Sequence, residues 1–420
     1  MKSRLTWLAA SAVIALSLAG CGAAADASSG GGNGTLEVQT GLSVDSKLMS
    51  TLKEVASGFE KANPDVKLNL VASSTSYEKD MKVRLASGNV PDIWWTHGWS
   101  LQRYGQFLMP LQNEAWAKNF NPALTAAMKD KNGTFSAMPI DTDIAGIIYN
   151  KDVLAAAGFK PEDIKTWDDF DKAASAIKAK GITPITVSGK ASGPAGNLAD
   201  WIAPGAFSKD DLSKMSSGTF VADKYKTVLD LVAKWRDAGY FNQDYASATS
   251  TDMAQALAQG KAAFIFSQNS TANNALQYNP KANLGFMPIP SADGGASYLV
   301  GGEMNAYGIS KTTKNPDAAK KFLAYLAQPE NESKLAKAAG SAPGLTNASS
   351  DMGTLQASYD QWMTKDKTTL VPYFDRVYLP NGMWNTMVTT TDSVITKQSS
   401  TAAALGQVQS DFKSLYGQGK

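Results

Sequence analysis

The stretch PIDTDIAGIIYNKDVLAAAGFKPEDIKTWDDFD, residues 139–171, decides how the chain folds. It opens on an extended polar segment, Asp141-Thr142-Asp143, and runs into the apolar strand Ile144 to Tyr149. Asn150-Lys151-Asp152 then turns the chain into a short helix, Val153 to Ala157, with Gly158 placed to stop it as the residue just past the C-cap. After Pro161, Thr166 has the character of an N-cap, with Trp167 just inside and Asp168, Asp169 and Asp171 filling the first turn. Carboxylates there face the positive end of the helix dipole. A strand fed by acidic polar residues and followed by two helices reads as a crossing between two lobes, which sets polar side chains beside a cleft.

Working outward, the chain has 420 residues, beyond the roughly 250–300 at which one hydrophobic core stops growing, so two lobes are expected. Hydrophobic residues make up 43% and charged residues 19%, the balance of an ordinary soluble globular protein. The formal charge is +2, and two of the cations, Lys2 and Arg4, lie in a segment expected to be removed. No Lys/Arg run follows residue 20, which argues against nucleic acid as a partner. A single cysteine excludes a disulfide within the chain, and a single histidine, His97, excludes a His-rich zinc site. No cofactor or metal is expected.

Residues 1–21, MKSRLTWLAASAVIALSLAGC, combine a short basic start, an apolar run from Leu5 to Leu18, and Leu18-Ala19-Gly20-Cys21. The last four resemble a bacterial lipobox, in which the cysteine becomes the first residue and takes acyl chains; the alternative is a signal-anchor helix with an incidental cysteine. The apolar run is shorter than the ~20 residues a spanning helix needs. The expectation is a lipoprotein signal peptide over 1–20 and a flexible tether over 21–34 that holds the protein on the outer face of the membrane.

The order of the remaining elements is αβ-alternating: a strand at Thr35–Thr40, a helix Lys47–Ala62, a strand Val66–Val71, a helix Tyr77–Ser87 and a short buried strand Asp92–Trp95. This predicts a doubly wound α/β lobe, whose ligands sit beyond the carboxyl ends of its strands. The loop Gly41–Lys47 and the segment Trp95–Trp99 both fall at such ends. Further on, Ala262–Phe266 reads as a buried strand, Tyr298–Glu303 as a second crossing, and residues 351–420 as mostly helical.

Five segments, FEKANPDVKLNL (59–70), LASGNVPDIWWTHG (85–98), YNKDVLAAAGF (149–159) with TWDDF (166–170), GKAAFIF (260–266) and LVGGEMNAYGISKTTKNPDAAKKFLAYL (299–326), stand in an order that resembles the extracellular solute-binding proteins of ABC importers. The nearest branch is the sugar-binding one that includes maltose-binding protein. The resemblance implies an α/β, two-lobe periplasmic-binding-protein type II fold, with doubly wound lobes joined by a hinge of crossing strands. The boundaries expected are 35–141 with 303–350 for lobe I, and 142–302 with 351–420 for lobe II.

The resemblance also implies a set of contacts. Trp95 and His97 match the sugar-contacting segment of the maltose binder, whose following Asp and Arg are replaced here by Gly98 and Trp99. Asp143 aligns with a carboxylate that accepts sugar hydroxyls, with Asp141 the weaker neighbour, and Asp45 resembles an early acidic contact. Trp201 and Trp384 fall near the second lobe's aromatic contacts, while another of those aromatics maps near Ser270. Glu303, beside Gly301-Gly302, either reaches a ligand or bridges the hinge. An indole face covers the apolar C–H side of a pyranose while carboxylates take its hydroxyls. Trp116, Trp167, Trp235 and Trp362 lie at helical positions and are expected to pack.

The function expected from this is a lipid-anchored, monomeric binding subunit that passes a mono- or oligosaccharide to membrane permease subunits. Two other classes stay on the table. The same fold could bind a polyamine, a metal chelate or a peptide, since Asp45, Asp141, Asp143 and Glu303 are all acids. An exported glycoside hydrolase would need two carboxylates held across the substrate, and no G-x-S-x-G, H-E-x-x-H or P-loop accompanies it.

Overall fold

The computed structural model describes residues 34–73, 77–96, 101, 104–191 and 193–418. The leader with Cys21, most of the tether, and the site candidates His97 and Trp99 lie outside these residues. In chain order the described strands are β1 (Gly34–Gln39), β2 (Val66–Val71), β3 (Ile93–Thr96), β4 (Met138–Pro139), β5 (Asp141–Ala145), β6 (Ile147–Asn150) and β7 (Thr183–Ile185). They continue as β8 (Ala262–Phe266), β9 (Leu284–Met287), β10 (Leu299–Gly302), β11 (Ala306–Ile309), β12 (Ala342–Pro343) and β13 (Leu370–Pro372).

Three sheets result. The first has the order β2-β1-β3-β11-β4, with β1, β2 and β3 parallel and β11 running against β3. The helix Lys47–Ala62 packs on it because Leu48, Leu52, Val55, Ala56 and Phe59 recur on one face; Ser46 caps its start by accepting from the Met49 N–H. The Phe59 ring meets Phe322 edge-on at 5.1 Å. The second sheet has the order β7-β8-β6-β9. Beneath it Trp167, Phe170, Trp235, Phe264 and Phe266 interlock, with Trp235 against Phe170 at 5.2 Å. Each such side chain, fully buried, contributes on the order of 1.5–3 kcal/mol. Trp116, Trp167, Trp235 and Trp362 are buried packing residues, as their positions predict.

The third sheet, β12-β5-β10-β13, lies between the other two and carries the crossings. Strand β5 runs against β10, Asp143 opposite Gly302, while β13 runs parallel to β10. Where a single strand from Ile144 to Tyr149 is expected, the chain leaves the crossing sheet at Ala145 and enters the second sheet at Ile147. Gly146 makes the step: a Cβ there would stand 2.2 Å from the Met287 carbonyl oxygen and 2.9 Å from Leu299 Cδ2. A residue with a side chain could not pass so close to the neighbouring strand.

The two α-helical starts read from the quoted stretch are present. Asn150 caps Lys151–Ala156, two residues earlier than the apolar pattern suggests, because its side chain accepts from the Asp152 and Val153 N–H groups. Thr166 and Asp169 form a reciprocal capping box at the start of Trp167–Ala179. One hydrophobic core gathers Leu36, Phe59, Ile93, Tyr307, Phe322 and Leu345; a second gathers Ile148, Phe170, Trp201, Phe264, Met387 and Phe412. The cleft opens between them, over the crossing sheet.

Candidate functional site

Two adjoining cavities, of about 840 and 680 Å³, share Gln268 and Met304 and together form this cleft. The first takes Tyr77 and Trp95 from one wall and Trp384, Asn385, Asp375 and Arg376 from the other. The second runs past Asp45, Asp141 and Asp143 to the helix Ser270–Tyr278, which contributes Asn273, Asn274 and Gln277. It is rich in carboxamides, groups that both donate to and accept from hydroxyls.

Each aromatic is placed by local chemistry. Strand β3, Ile-Trp-Trp-Thr, turns Trp94 into the core, where its ring meets Tyr104 at 5.2 Å, and alternation turns Trp95 the other way. The Trp95 indole lies against Gly41, where a Cβ would come within 2.4 Å of its ring. Tyr77 meets it edge-on at 5.0 Å and donates its hydroxyl to the Trp95 carbonyl at 2.5 Å. Opposite, Trp384 stands in the first turn of Met383–Ile395 and lies half-buried over Gly196, whose Cβ would sit 3.1 Å from the indole.

The floor is a network of buried ionisable groups. The Arg376 guanidinium stacks on Tyr373 at 4.3 Å and donates to the Glu303 carbonyl at 2.8 Å, with the Glu303 carboxylate 3.8 Å away. Tyr373 donates its hydroxyl to Asp143 at 2.6 Å, and Asp143 also accepts from the Asn269 N–H. Asp141 accepts from the Met304 and Asn305 N–H groups at 3.0 and 2.9 Å and from the Asn305 carboxamide at 2.7 Å. Asp200 accepts from the Asp375 N–H at 2.8 Å. Burial pushes the Asp141 carboxyl up to about 6 against those hydrogen bonds, and the Glu303 carboxyl up to about 7 against Arg376. Burial likewise raises Asp143, Asp200 and Asp375, with the charge of Asp375 adding to the rise at Asp200. A floor whose acids are driven toward neutrality suits hydroxyls better than a strongly cationic guest.

Of the residues singled out from the sequence, the cleft brings Asp45, Trp95, Asp143, Trp201 and Trp384 together, along with Asp141. Asp45 is exposed at the rim. Trp201 borders the first cavity but is fully buried: it donates its indole N–H to the Gly146 carbonyl at 3.1 Å and packs on Tyr373 at 5.3 Å. Gly302 and Glu303 line neither cavity; Gly302 is packed under Tyr373, and Glu303 is wholly buried beside Arg376, between the crossing and the second wall. Tyr77, Gln268, Asn305, Tyr373, Asp375 and Arg376 went unsingled in the sequence. The last three follow β13, a third crossing only three residues long, Leu-Val-Pro, with no alternation to mark it.

Among the described residues no cluster of His, Cys, Asp and Glu is arranged to hold a metal ion, and no helix is long and apolar enough to cross a membrane. The family model for bacterial extracellular solute-binding proteins matches residues 45–333. The melibiose/raffinose/stachyose-binding protein of Bacillus subtilis is 30% identical over 385 residues, spanning 90% of this chain and 88% of that protein. A binding protein of Bacillus subtilis in an open conformation superposes with a TM-score of 0.83 at 28% identity, over 91% of this chain and 98% of that one. A sugar transporter protein of Bacillus licheniformis, in complex with stachyose, superposes at 0.77 and 28% identity, over 91% and 100%.

Proposed function

The chain belongs to the bacterial extracellular solute-binding proteins, a family of binding proteins rather than enzymes, and from that membership we propose that its cleft captures a neutral oligosaccharide for an ABC importer. The observation that carries the reading is the two-sided wall of the first cavity, with Trp95 and Tyr77 facing Trp384 and Arg376. Indole faces cover pyranose C–H surfaces, while Asp375, Arg376 and the carboxamides of the second cavity exchange hydrogen bonds with hydroxyls. The relative that binds melibiose, raffinose and stachyose points to that class of ligand.

The mechanism proposed is closure. Lobe I is 35–141 with 303–350, lobe II is 142–302 with 351–420, and the crossing sheet is the hinge. A ligand touching both lobes binds the closed state more tightly than the open one, and only such a difference moves the equilibrium. Cys21, acylated after removal of residues 1–20, tethers the monomer to the outer face of the membrane, and the closed form delivers its sugar to the permease subunits. Of the candidate contacts, Trp95, Asp143 and Trp384 touch the sugar, with Asp45 at the entrance, and Trp201, Gly302 and Glu303 support the floor; His97 and Trp99 stay candidates on the sequence alone.

Calorimetric titration of the mature protein with melibiose, raffinose, stachyose and spermidine tests this. Saturable binding of at least one sugar is expected, with the sugar recovered intact afterwards. Heat from spermidine alone, or shortened sugar in the recovered sample, overturns it.

A further inference from the structure

The geometry points to Asn305 as a positioning residue, whose carboxamide sets the Trp95 indole in the cleft wall and ties that wall to the first crossing strand through Asp141. Trp95 donates its indole N–H to Asn305 Oδ1 at 3.2 Å, and Asn305 Nδ2 donates to Asp141 Oδ2 at 2.7 Å. The orientation of the amide is forced from both ends. An indole nitrogen can only donate, so it requires the oxygen, and the Asp141 carboxylate, ionised above about pH 6, can only accept, so it requires the NH₂. Asp141 in turn has no freedom to turn away. It is fully buried, and its other oxygen takes the Met304 and Asn305 backbone N–H groups.

The chain Trp95–Asn305–Asp141 therefore runs from the aromatic wall on β3 to β5, the strand that carries the chain across between the two cores. Gly41 closes the space on the ring and Tyr77 meets it edge-on; Asn305 restrains it through its polar edge. With the ring held in advance, a ligand stacking on it has no side chain left to order. Asparagine is the residue that offers an acceptor and a donor across this span. Aspartate keeps the acceptor for Trp95 but sets a second carboxylate against Asp141, and leucine offers neither group.

That contrast supplies the test, because the carboxyl introduced by Asn305→Asp regains, once protonated, an O–H to donate to Asp141. The ionisable groups around position 305 are Asp141 and Asp143 on β5, Glu303 with Arg376, Tyr307 on β11, the buried Glu332 that interacts with Asp141, and Asp45, Lys47, Lys337 and Asp351 of the second cavity. All are common to wild type and variants. The inference rests on the cleft being a sugar site, but its first readout needs no sugar. In protein labelled with 5-fluorotryptophan, the Trp95 ¹⁹F resonance is identified by its loss in Trp95→Phe. Compared with wild type at the same pH, since Asp141 itself titrates at about 6, the resonance in Asn305→Asp is expected to be displaced at about pH 8 and to coincide more nearly at about pH 5. In Asn305→Leu it is expected to be displaced throughout. Raffinose affinity is expected to fall about tenfold in both variants at the higher pH and to recover only in Asn305→Asp on acidification.

A Trp95 resonance unmoved in both variants overturns the inference, even if sugar binding weakens, since Asn305 would then act by touching the ligand. A displaced and pH-recovering resonance in a protein that binds none of the sugars upholds the positioning role and sinks the oligosaccharide reading instead. Asn305→Leu, which adds no charge beside Asp141, keeps the test open should Asn305→Asp fold poorly.

Discussion

Replacing Glu303 by glutamine takes a carboxyl out of the hinge while keeping its shape, and the expected consequence depends on pH. Both Glu303 carboxylate oxygens are buried without a hydrogen-bond partner among the described residues, and Arg376 is 3.8 Å away. Burial raises the folded-state value from 4.5 to about 7, with the attraction of Arg376 already included. The folded protein thus holds a proton that the unfolded chain has released, so stability falls as pH rises from about 4.5 and the loss is complete above about 7. A shift of this size corresponds to about 3 kcal/mol. Glutamine carries no such term. The stability of Glu303→Gln minus that of wild type should therefore grow by about 3 kcal/mol between about pH 4.5 and 8, in favour of the variant. Asp141 titrates with the same sign and is present in both proteins, so its own burial contributes equally to each and only its repulsion with Glu303 differs between them. Urea unfolding followed by circular dichroism across that range measures the quantity. A difference that stays flat with pH would show that Glu303 is not held protonated by burial, and the account of the hinge floor would fail with it.

Other consequences follow from single contacts. Gly146→Ala places a Cβ 2.2 Å from the Met287 carbonyl at the step between sheets, and a loss of about 1–3 kcal/mol is expected in the same unfolding assay. Thr166→Ala breaks the reciprocal cap of Trp167–Ala179 far from the cleft, with about 1 kcal/mol lost and sugar affinity unchanged by calorimetry. Trp384→Ala removes a half-buried ring that lies over Gly196, so raffinose affinity measured by calorimetry should drop at least about tenfold.

Much of the architecture was legible because it rests on local signals. Thr166 with Asp169 marks a helix start by chemistry that needs no tertiary context, and the alternation in Ile93-Trp94-Trp95-Thr96 separates a core tryptophan from one facing outward. The crossing at residues 141–150 was legible as polar residues feeding an apolar run, but not as two strands, because Gly146 reveals its role only beside Met287 and Leu299. The tail hid more. Tyr373, Asp375 and Arg376 reach the cleft because β13 pairs with β10, a contact some seventy residues apart in the chain that no periodicity announces. Asn305 was passed over because an asparagine after Gly-Gly-Glu-Met looks like turn chemistry until Trp95 and Asp141 stand on either side of it.

The central claim is that one sugar is gripped from both sides and draws the two lobes together. Small-angle X-ray scattering of the mature protein, with and without saturating raffinose, measures that directly. The account predicts a smaller radius of gyration with the sugar present, and a lesser change in Trp384→Ala at a raffinose concentration that only just fills the wild-type site. A radius unchanged in wild type, under conditions where calorimetry shows the site filled, would contradict it.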